Sequence, residues 1–133
     1  MSLLSEFLGR HKGSISETFE ADIGGRLKGM PFKVRPLTYE EYQSINQDAS
    51  SIGKQGRVKI SVGLIFERIV LTCCLDPDFS HKDLLDANGC LTPKQLLHAL
   101  LLPGEVVELG KRIQRLSGFD EDFEEMVNEA KNE

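Results

Sequence analysis

Tryptophan is absent from this chain of 133 residues, and only three residues are cysteine. Two of the cysteines, Cys73 and Cys74, are adjacent, which leaves Cys90 as the single partner for either of them. This pattern excludes a framework of disulfides and predicts buried, reduced thiols. Because disulfides persist in oxidising compartments, it also favours a cytoplasmic protein.

The chain also lacks a long uncharged apolar run. Its most apolar stretch is residues 58–75, and the pair Glu67 and Arg68 interrupts that stretch near its middle. A transmembrane helix needs about 20 predominantly apolar residues, so we predict a soluble protein without a membrane span. The first ten residues lack the basic start and the long apolar region of a secretory signal.

The chain also has no excess of positive charge. The net charge is -5, and residues 120–133 hold 7 acids and 1 lysine, which gives that segment -6 and leaves +1 for the remainder. A protein that binds nucleic acid through its backbone needs a broad basic surface. The composition therefore predicts no nucleic-acid partner.

Residues 58–75 carry apolar side chains at helical spacing, and we predict that they form the buried central helix of a single core. Residues 58–64 also alternate as a strand would, so the first turn has two interpretations. The predicted apolar positions form a broad arc and a second, narrower one: Val58, Val62, Ile65, Phe66, Ile69, Val70 and Cys73, then Ile60, Leu64, Leu71 and Leu75.

A β-hairpin is predicted over residues 17–36, because apolar and polar residues alternate on both sides of a glycine-containing turn. Its apolar face must pack on helices, since a two-stranded ribbon is unstable alone. Glu20 is expected to face Lys33, and Asp22 to face Arg35. The apolar face consists of Phe19, Ile23, Phe32 and Val34.

Capping patterns predict the helices that follow. Thr38 with Glu41 forms a capping box that opens a helix to about Ala49, and residues 50–56 form a loop. Ser80 starts a short helix that Gly89 ends. Thr92 begins a helix that must stop or kink at Pro103, and another runs from there to a close at Ser117-Gly118.

The predicted fold is mainly α, within the α+β class: a small helical domain around a central buried helix, with one N-terminal hairpin packed on it. Residues 1–16 form a short amphipathic arm, capped by Ser2, and a linker. Residues 17–119 form one globular domain, with the hairpin at 17–36 and helices thereafter. Residues 120–133 form an acidic C-terminal helix or tail.

No catalytic constellation, cofactor motif or metal-ligand spacing is present. Asp76, Asp78 and Ser80 match the first ligand positions of a calcium loop, but His81 replaces the required glycine and Ala87 replaces the bidentate glutamate. The sequence therefore predicts a non-enzyme with no catalytic residues, no cofactor and no metal.

Two apolar stripes are the candidate partner-binding residues. One is Leu3, Leu4 and Phe7 on the arm, where the flexible linker favours docking on a partner or exchange with a second copy. The other is the acid-flanked stripe of Phe119, Phe123, Met126 and Val127. The alternative for this second stripe is a helix packed back on the core; its adaptable side chains would also suit an apolar, helical partner.

Several strings, in this order and spacing, together resemble the XkdN-like tail assembly chaperones of long-tailed phages and defective prophages. The likeness runs from about residue 19 to residue 119. The strings are Arg35-Pro36-Leu37-Thr38, Glu40-Glu41-Tyr42, Leu75-Asp76-Pro77-Asp78, Leu101-Leu102-Pro103-Gly104-Glu105 with Leu109 and Ile113, and Leu116-Ser117-Gly118-Phe119.

This resemblance implies a non-catalytic protein of the bacterial host cytoplasm that binds the tape measure protein and keeps it soluble while tail tube subunits assemble. It implies absence from the mature virion. The alternatives are a minor structural or tail-completion protein and, with less support, a transcriptional regulator or antitoxin. Such families often make a longer product by ribosomal slippage, for which Ala130-Lys131-Asn132 is the candidate site.

Overall fold

The structure, a computed structural model, describes residues 2–12, 17–52, 58–60 and 62–119. In chain order its elements are α1 (Leu3–Arg10), β1 (Phe19–Ala21), a 3₁₀ turn (Gly25–Leu27), β2 (Phe32–Val34), α2 (Tyr39–Ala49), β3 (Ser50–Ile52), β4 (Val58–Ile60), α3 (Val62–Cys73), β5 (Cys74–Asp76), α4 (Lys82–Ala87), α5 (Pro93–Leu100) and α6 (Pro103–Leu116). The predicted mainly helical fold with a small β part is confirmed.

The predicted hairpin is confirmed, and it gains a third strand. Strands β1 and β2 pair antiparallel with Glu20 opposite Lys33, as expected. Strand β5 then pairs antiparallel with the other edge of β2. The start of β5 is fixed by a hydrogen bond of 3.0 Å, which the Arg35 N–H donates to the Cys73 carbonyl. The sheet is therefore joined directly to the end of α3, which places Phe32 and Val34 in the core.

The expected pair of Asp22 with Arg35 is wrong. The Asp22 carboxylate accepts the N–H groups of Gly24 and Gly29, each at 2.9 Å, and these bonds lower its pKa. Both glycines have positive φ, 76° and 85°, which other residues adopt at a cost. Asp22 therefore fixes the turn of the hairpin. Its carboxylate bonds to these two nearby backbone N–H groups and not to a side chain of the opposite strand.

Arg35 binds the first turn of α2. Its guanidinium donates to both carboxylate oxygens of Glu41, at 2.8 and 2.7 Å, and also to the Thr72 carbonyl at 3.0 Å. The predicted capping box is present in the same turn, since the Thr38 N–H donates to Glu41 and the Glu41 N–H donates to the Thr38 hydroxyl. One arginine thus joins the start of α2 to the end of α3.

Helix α3 is central, as predicted, but shorter than residues 58–75. Residues 58–60 form strand β4, so the strand interpretation of that stretch is confirmed there. Strand β4 pairs with β3, which corrects the predicted loop at residues 50–52. The inward side of α3 is buried, while Leu75, which lies beyond its end, is half-exposed. The buried residues of α3 are Ile65, Phe66, Ile69, Val70 and Cys73.

Helix α6 packs most closely on α3. Gly110 allows this approach, because a Cβ atom at this position would lie 2.6 Å from Cδ1 of the buried Phe66 ring. Leu109 and Ile113 of α6 are also fully buried. The core of the described residues is therefore one cluster built on the α3 and α6 contact, with α2, α5 and the three-stranded sheet around it.

The predicted start of α5 is also confirmed. The Thr92 hydroxyl accepts the Gln95 N–H at 3.2 Å, and the Gln95 side chain accepts the Leu91 N–H at 2.8 Å. The predicted start at Ser80 is displaced by one residue, because His81 occupies the N-cap position of α4. Ser80 instead donates its N–H and its hydroxyl to the Asp78 carboxylate.

Candidate partner-binding surfaces

Helix α1 presents the first predicted stripe entirely to solvent. The exposed fractions are 79% for Leu3, 66% for Leu4 and 52% for Phe7, and no residue of the helix is buried. Leu8, the next residue on this side, is exposed as well. Four large apolar side chains on one short helix form a concentrated apolar surface, which in a folded protein is typical of an interaction site. We call this surface the arm.

The arm is a formed helix with satisfied ends. The Ser2 hydroxyl accepts the Ser5 N–H at 3.0 Å at its start. At its end the His11 ring lies against the Phe7 ring, with centroids 4.2 Å apart, and its Nδ1 lies 2.9 Å from the Phe7 carbonyl. These local contacts stabilise the two ends of the helix.

Phe119, the first residue of the second predicted stripe, lies at the end of α6 and is partly buried against the core. Its ring packs on Tyr42 of α2, with centroids 5.3 Å apart, beside a cavity of about 250 Å³ that Leu37 and Tyr39 also line. Positive φ at Gly118, 96°, turns the chain towards α2. Phe119 therefore packs partly on the core and stays partly exposed.

The remaining residues of that stripe, Phe123, Met126 and Val127, lie outside the described residues. The structure brings Phe119 together with α2 and keeps the arm as a separate set of side chains. Binding by either set stays a prediction.

A groove on the outer side of α3 was not predicted. It lies between α3 and the start of α5 and encloses about 450 Å³. Its lining residues are Leu64, Glu67, Arg68, Leu71, Thr72, Ser80, Thr92, Pro93 and Lys94. We call it the α3–α5 groove. The second apolar arc predicted for α3 lies here, since Leu64 and Leu71 are only partly buried.

Glu67 marks one end of this groove. Its carboxylate lies 2.5 Å from Nε2 of His98 and 3.8 Å from Nζ of Lys94, so it bridges α3 to α5. A second cavity of about 420 Å³ lies on the far side of the bridge, lined partly by Leu101 and Val107. The pattern of residues 58–75 indicated apolar positions on this side, but the packing of α5 beside them was not encoded in any local motif.

Cys73 and Cys74 are both buried and carry free thiols. Burial raises the pKa of both Cys73 and Cys74 to about 12, so these thiols are protonated at neutral pH and poorly nucleophilic. Among the same residues, no three His, Cys, Asp or Glu side chains come close enough to hold a metal ion. No helix in the described part of the chain has the length and apolar character for a membrane crossing.

Fold and surface together define a small helical domain that carries an exposed apolar arm, in the part of the chain that the structure describes. Residues 4–131 match the family of phage XkdN-like tail assembly chaperone proteins. The chain therefore belongs to that family, as its motifs indicated, and the family is one of phage tail assembly chaperones.

Two individual proteins are similar to this chain, one in sequence and one in fold. The chain is 30% identical over 108 residues to the phage-like element PBSX protein XkdN of Bacillus subtilis (strain 168), a match that covers 77% of this chain and 73% of the relative. The crystal structure of the protein yqbn has the same fold, with a TM-score of 0.58 and 19% identity over 79% of this chain and 87% of that one.

Proposed function

We propose that this protein binds the tape measure protein of a phage tail and keeps it soluble until tail tube subunits assemble around it. The tube subunits are the proposed further partners, and the bacterial cytoplasm is the proposed location. No bond is made or broken in this function, so the protein acts by covering apolar surface and not as an enzyme. It would be released before the virion is complete.

The exposed arm carries this proposal. A capped helix with Leu3, Leu4 and Phe7 all more than half exposed offers the apolar side chains that a helical client needs to cover its own apolar stripe. A very long helical client with uncovered stripes would aggregate, since exposed apolar surface drives association. The acid-flanked stripe of Phe119, Phe123, Met126 and Val127 is the second proposed contact.

Co-expression with the tape measure protein tests the proposal. The wild-type chain should raise the soluble fraction of the client and remain bound to it in a pull-down. Leu4→Asp/Phe7→Asp should lose both effects, because two carboxylates would enter an apolar contact. Glu6→Gln, on the same helix, is the matched control and should behave as the wild type.

The melting temperature separates binding from folding. It should be unchanged in the double variant, since both mutated side chains are already exposed. Phe123→Asp should also weaken client binding without changing the melting temperature. If the wild-type chain neither solubilises nor retains the client, the function is wrong. Mass spectrometry of purified virions would contradict the release step if it detected the protein there.

A further inference from the structure

The second cavity beside α3 is an apolar cleft between the first turn of α3 and the first turn of α6, with a volume of about 420 Å³. Five of its lining residues are apolar or glycine: Gly63, Leu101, Pro103, Val106 and Val107. We call it the α3–α6 cleft. We propose that the arm of one copy docks in the α3–α6 cleft of a second copy, and that the second copy returns the same contact.

The exposed area of the arm fits such a reciprocal contact. Leu3, Leu4, Phe7 and Leu8 are each more than half exposed. At about 150–200 Å² for a fully exposed leucine or phenylalanine, these four residues present about 400–500 Å². One arm on an equal area of cleft would bury about 800–1,000 Å² in total, which is less than a stable interface needs, whereas two such contacts would bury about 1,600–2,000 Å². The size of the arm therefore favours exchange of both arms in a dimer.

The arm joins its own domain at the end opposite to the cleft. Strand β1 starts at Phe19, which pairs with Val34. The next residue of β2's chain, Arg35, donates its N–H to the Cys73 carbonyl at the end of α3. Gly63 of the cleft lies in the first turn of α3, about 15 Å from Cys73 along the helix. No residue of the arm is buried in the single chain, so this arrangement favours an acceptor on a second copy.

The cleft is preformed where it meets the hairpin. The Arg26 guanidinium donates to the Leu100 carbonyl at 2.8 Å and to both oxygens of the Glu105 carboxylate, at 2.8 and 2.7 Å. The same carboxylate accepts the Leu102 N–H at 2.7 Å. These bonds fix the turn between α5 and α6, which supplies two of the lining residues. The acceptor therefore needs little ordering when an arm docks.

The contact is driven by apolar surface. The acid of the cleft, Glu67, lies at one end and already contacts His98 and Lys94. The four docking side chains of the arm carry no charge, so removal of apolar surface from water stabilises the dimer. The association should therefore persist at about 1 M salt, which screens ion pairs but does not weaken apolar contacts.

The dimer is expected to be weak, because an isolated helix of 8 residues is marginally stable and each arm must be ordered as it docks. We expect a dissociation constant above about 1 µM. Melting temperatures measured in dilute solution therefore report the single chain. The proposal concerns the free protein, so it goes beyond the proposed function, and a client that takes the arm would have to displace this contact.

Sedimentation equilibrium of the full chain tests the proposal. Over about a thousandfold range of concentration, the apparent mass of the wild type should rise from the 14.9 kDa of one chain towards twice that value. Leu4→Asp/Phe7→Asp should stay at the mass of one chain, because two carboxylates would have to enter each apolar contact.

Two further variants place a carboxylate in the cleft itself. Val107→Asp does so at a partly buried position, and Gly63→Asp does so at an exposed one, where a Cβ meets no atom within 4 Å. Aspartate is favourable in the first turn of a helix, so Gly63→Asp should fold. Both variants should raise the dissociation constant at least about tenfold. Ser44→Asp, at an exposed position of α2, is the matched control and should associate as the wild type does.

Three results would overturn the proposal. The first is a wild-type mass that stays at one chain over the whole range. The second is full association in a cleft variant that keeps the wild-type melting temperature; if the arm variant is monomeric in the same experiment, the arms pair with each other and not with the cleft. The third is loss of the dimer at about 1 M salt. These measurements involve no client, so the proposed function is tested separately.

Discussion

Gly110→Ala provides a direct test of the close contact between α3 and α6. The added methyl would lie 2.6 Å from Cδ1 and 3.2 Å from both Cβ and Cγ of Phe66. Phe66 is fully buried in the centre of the core, so its ring has little space to move away. Overpacking of this kind costs about 1–3 kcal/mol.

The substitution also has a favourable effect, which must be subtracted. Alanine stabilises the interior of a helix by about 1 kcal/mol relative to glycine. The expected net loss is therefore about 0–2 kcal/mol in the free energy of unfolding. In a chain of this size, each kcal/mol lowers the melting temperature by about 4 °C.

Circular dichroism during thermal and urea unfolding measures this loss. Gly104→Ala is the matched control, since it lies in the same helix and a Cβ there meets no atom within 4 Å. The control should unfold at the wild-type temperature or above it. In a double-mutant cycle, Phe66→Leu should cost less in the Gly110→Ala background than alone, because it makes room for the methyl. A stabilised Gly110→Ala variant, or strict additivity, would refute the reasoning.

Other consequences of the structure can be measured on the protein alone. Hydrogen bonds from Arg35 lower the pKa of Glu41 to about 2, below its usual 4.5, so its ionised form stabilises the fold at neutral pH. Glu41→Gln should therefore destabilise the protein at pH 7, and its difference from wild type in urea unfolding should shrink between about pH 4.5 and pH 2; a difference that grows there would contradict the assignment. Thr92→Ala removes the hydroxyl that accepts the Gln95 N–H and should cost about 1 kcal/mol, with Thr92→Ser retaining most of the stability. Phe7→Asp alone should leave the melting temperature unchanged, because its ring is half exposed and contacts His11 in the same short helix; a lowered melting temperature would show that the arm belongs to the core.

The helices were predictable because their information is local. Thr38 with Glu41, and Thr92 with Gln95, satisfy backbone donors within one turn, and such bonds do not depend on the rest of the chain. The inward side of α3 was predictable for a related reason. Its apolar spacing persists over three turns, which is long enough to identify a period.

The three-residue strands were harder to predict for the opposite reason. Strand β5 contains only Cys74–Asp76, which is too short to show an alternating pattern. The strand forms because the end of α3 lies beside the open edge of β2. Its formation therefore depends on tertiary structure and not on local sequence. The α3–α5 groove has the same origin: Leu64 and Leu71 indicated a second apolar arc, but the position of α5 determines how much of that arc remains exposed.

The separation of the arm from the core limits how tightly it can bind. An isolated helix of 8 residues is marginally stable in water, so α1 loses little by fraying and gains stability when its apolar side packs on a partner. Part of the interaction energy is then used to order the arm, which keeps the affinity of a single contact modest. In the proposed function this is an advantage, because many modest contacts along a long client protect it collectively, whereas each can be displaced singly as the tube advances.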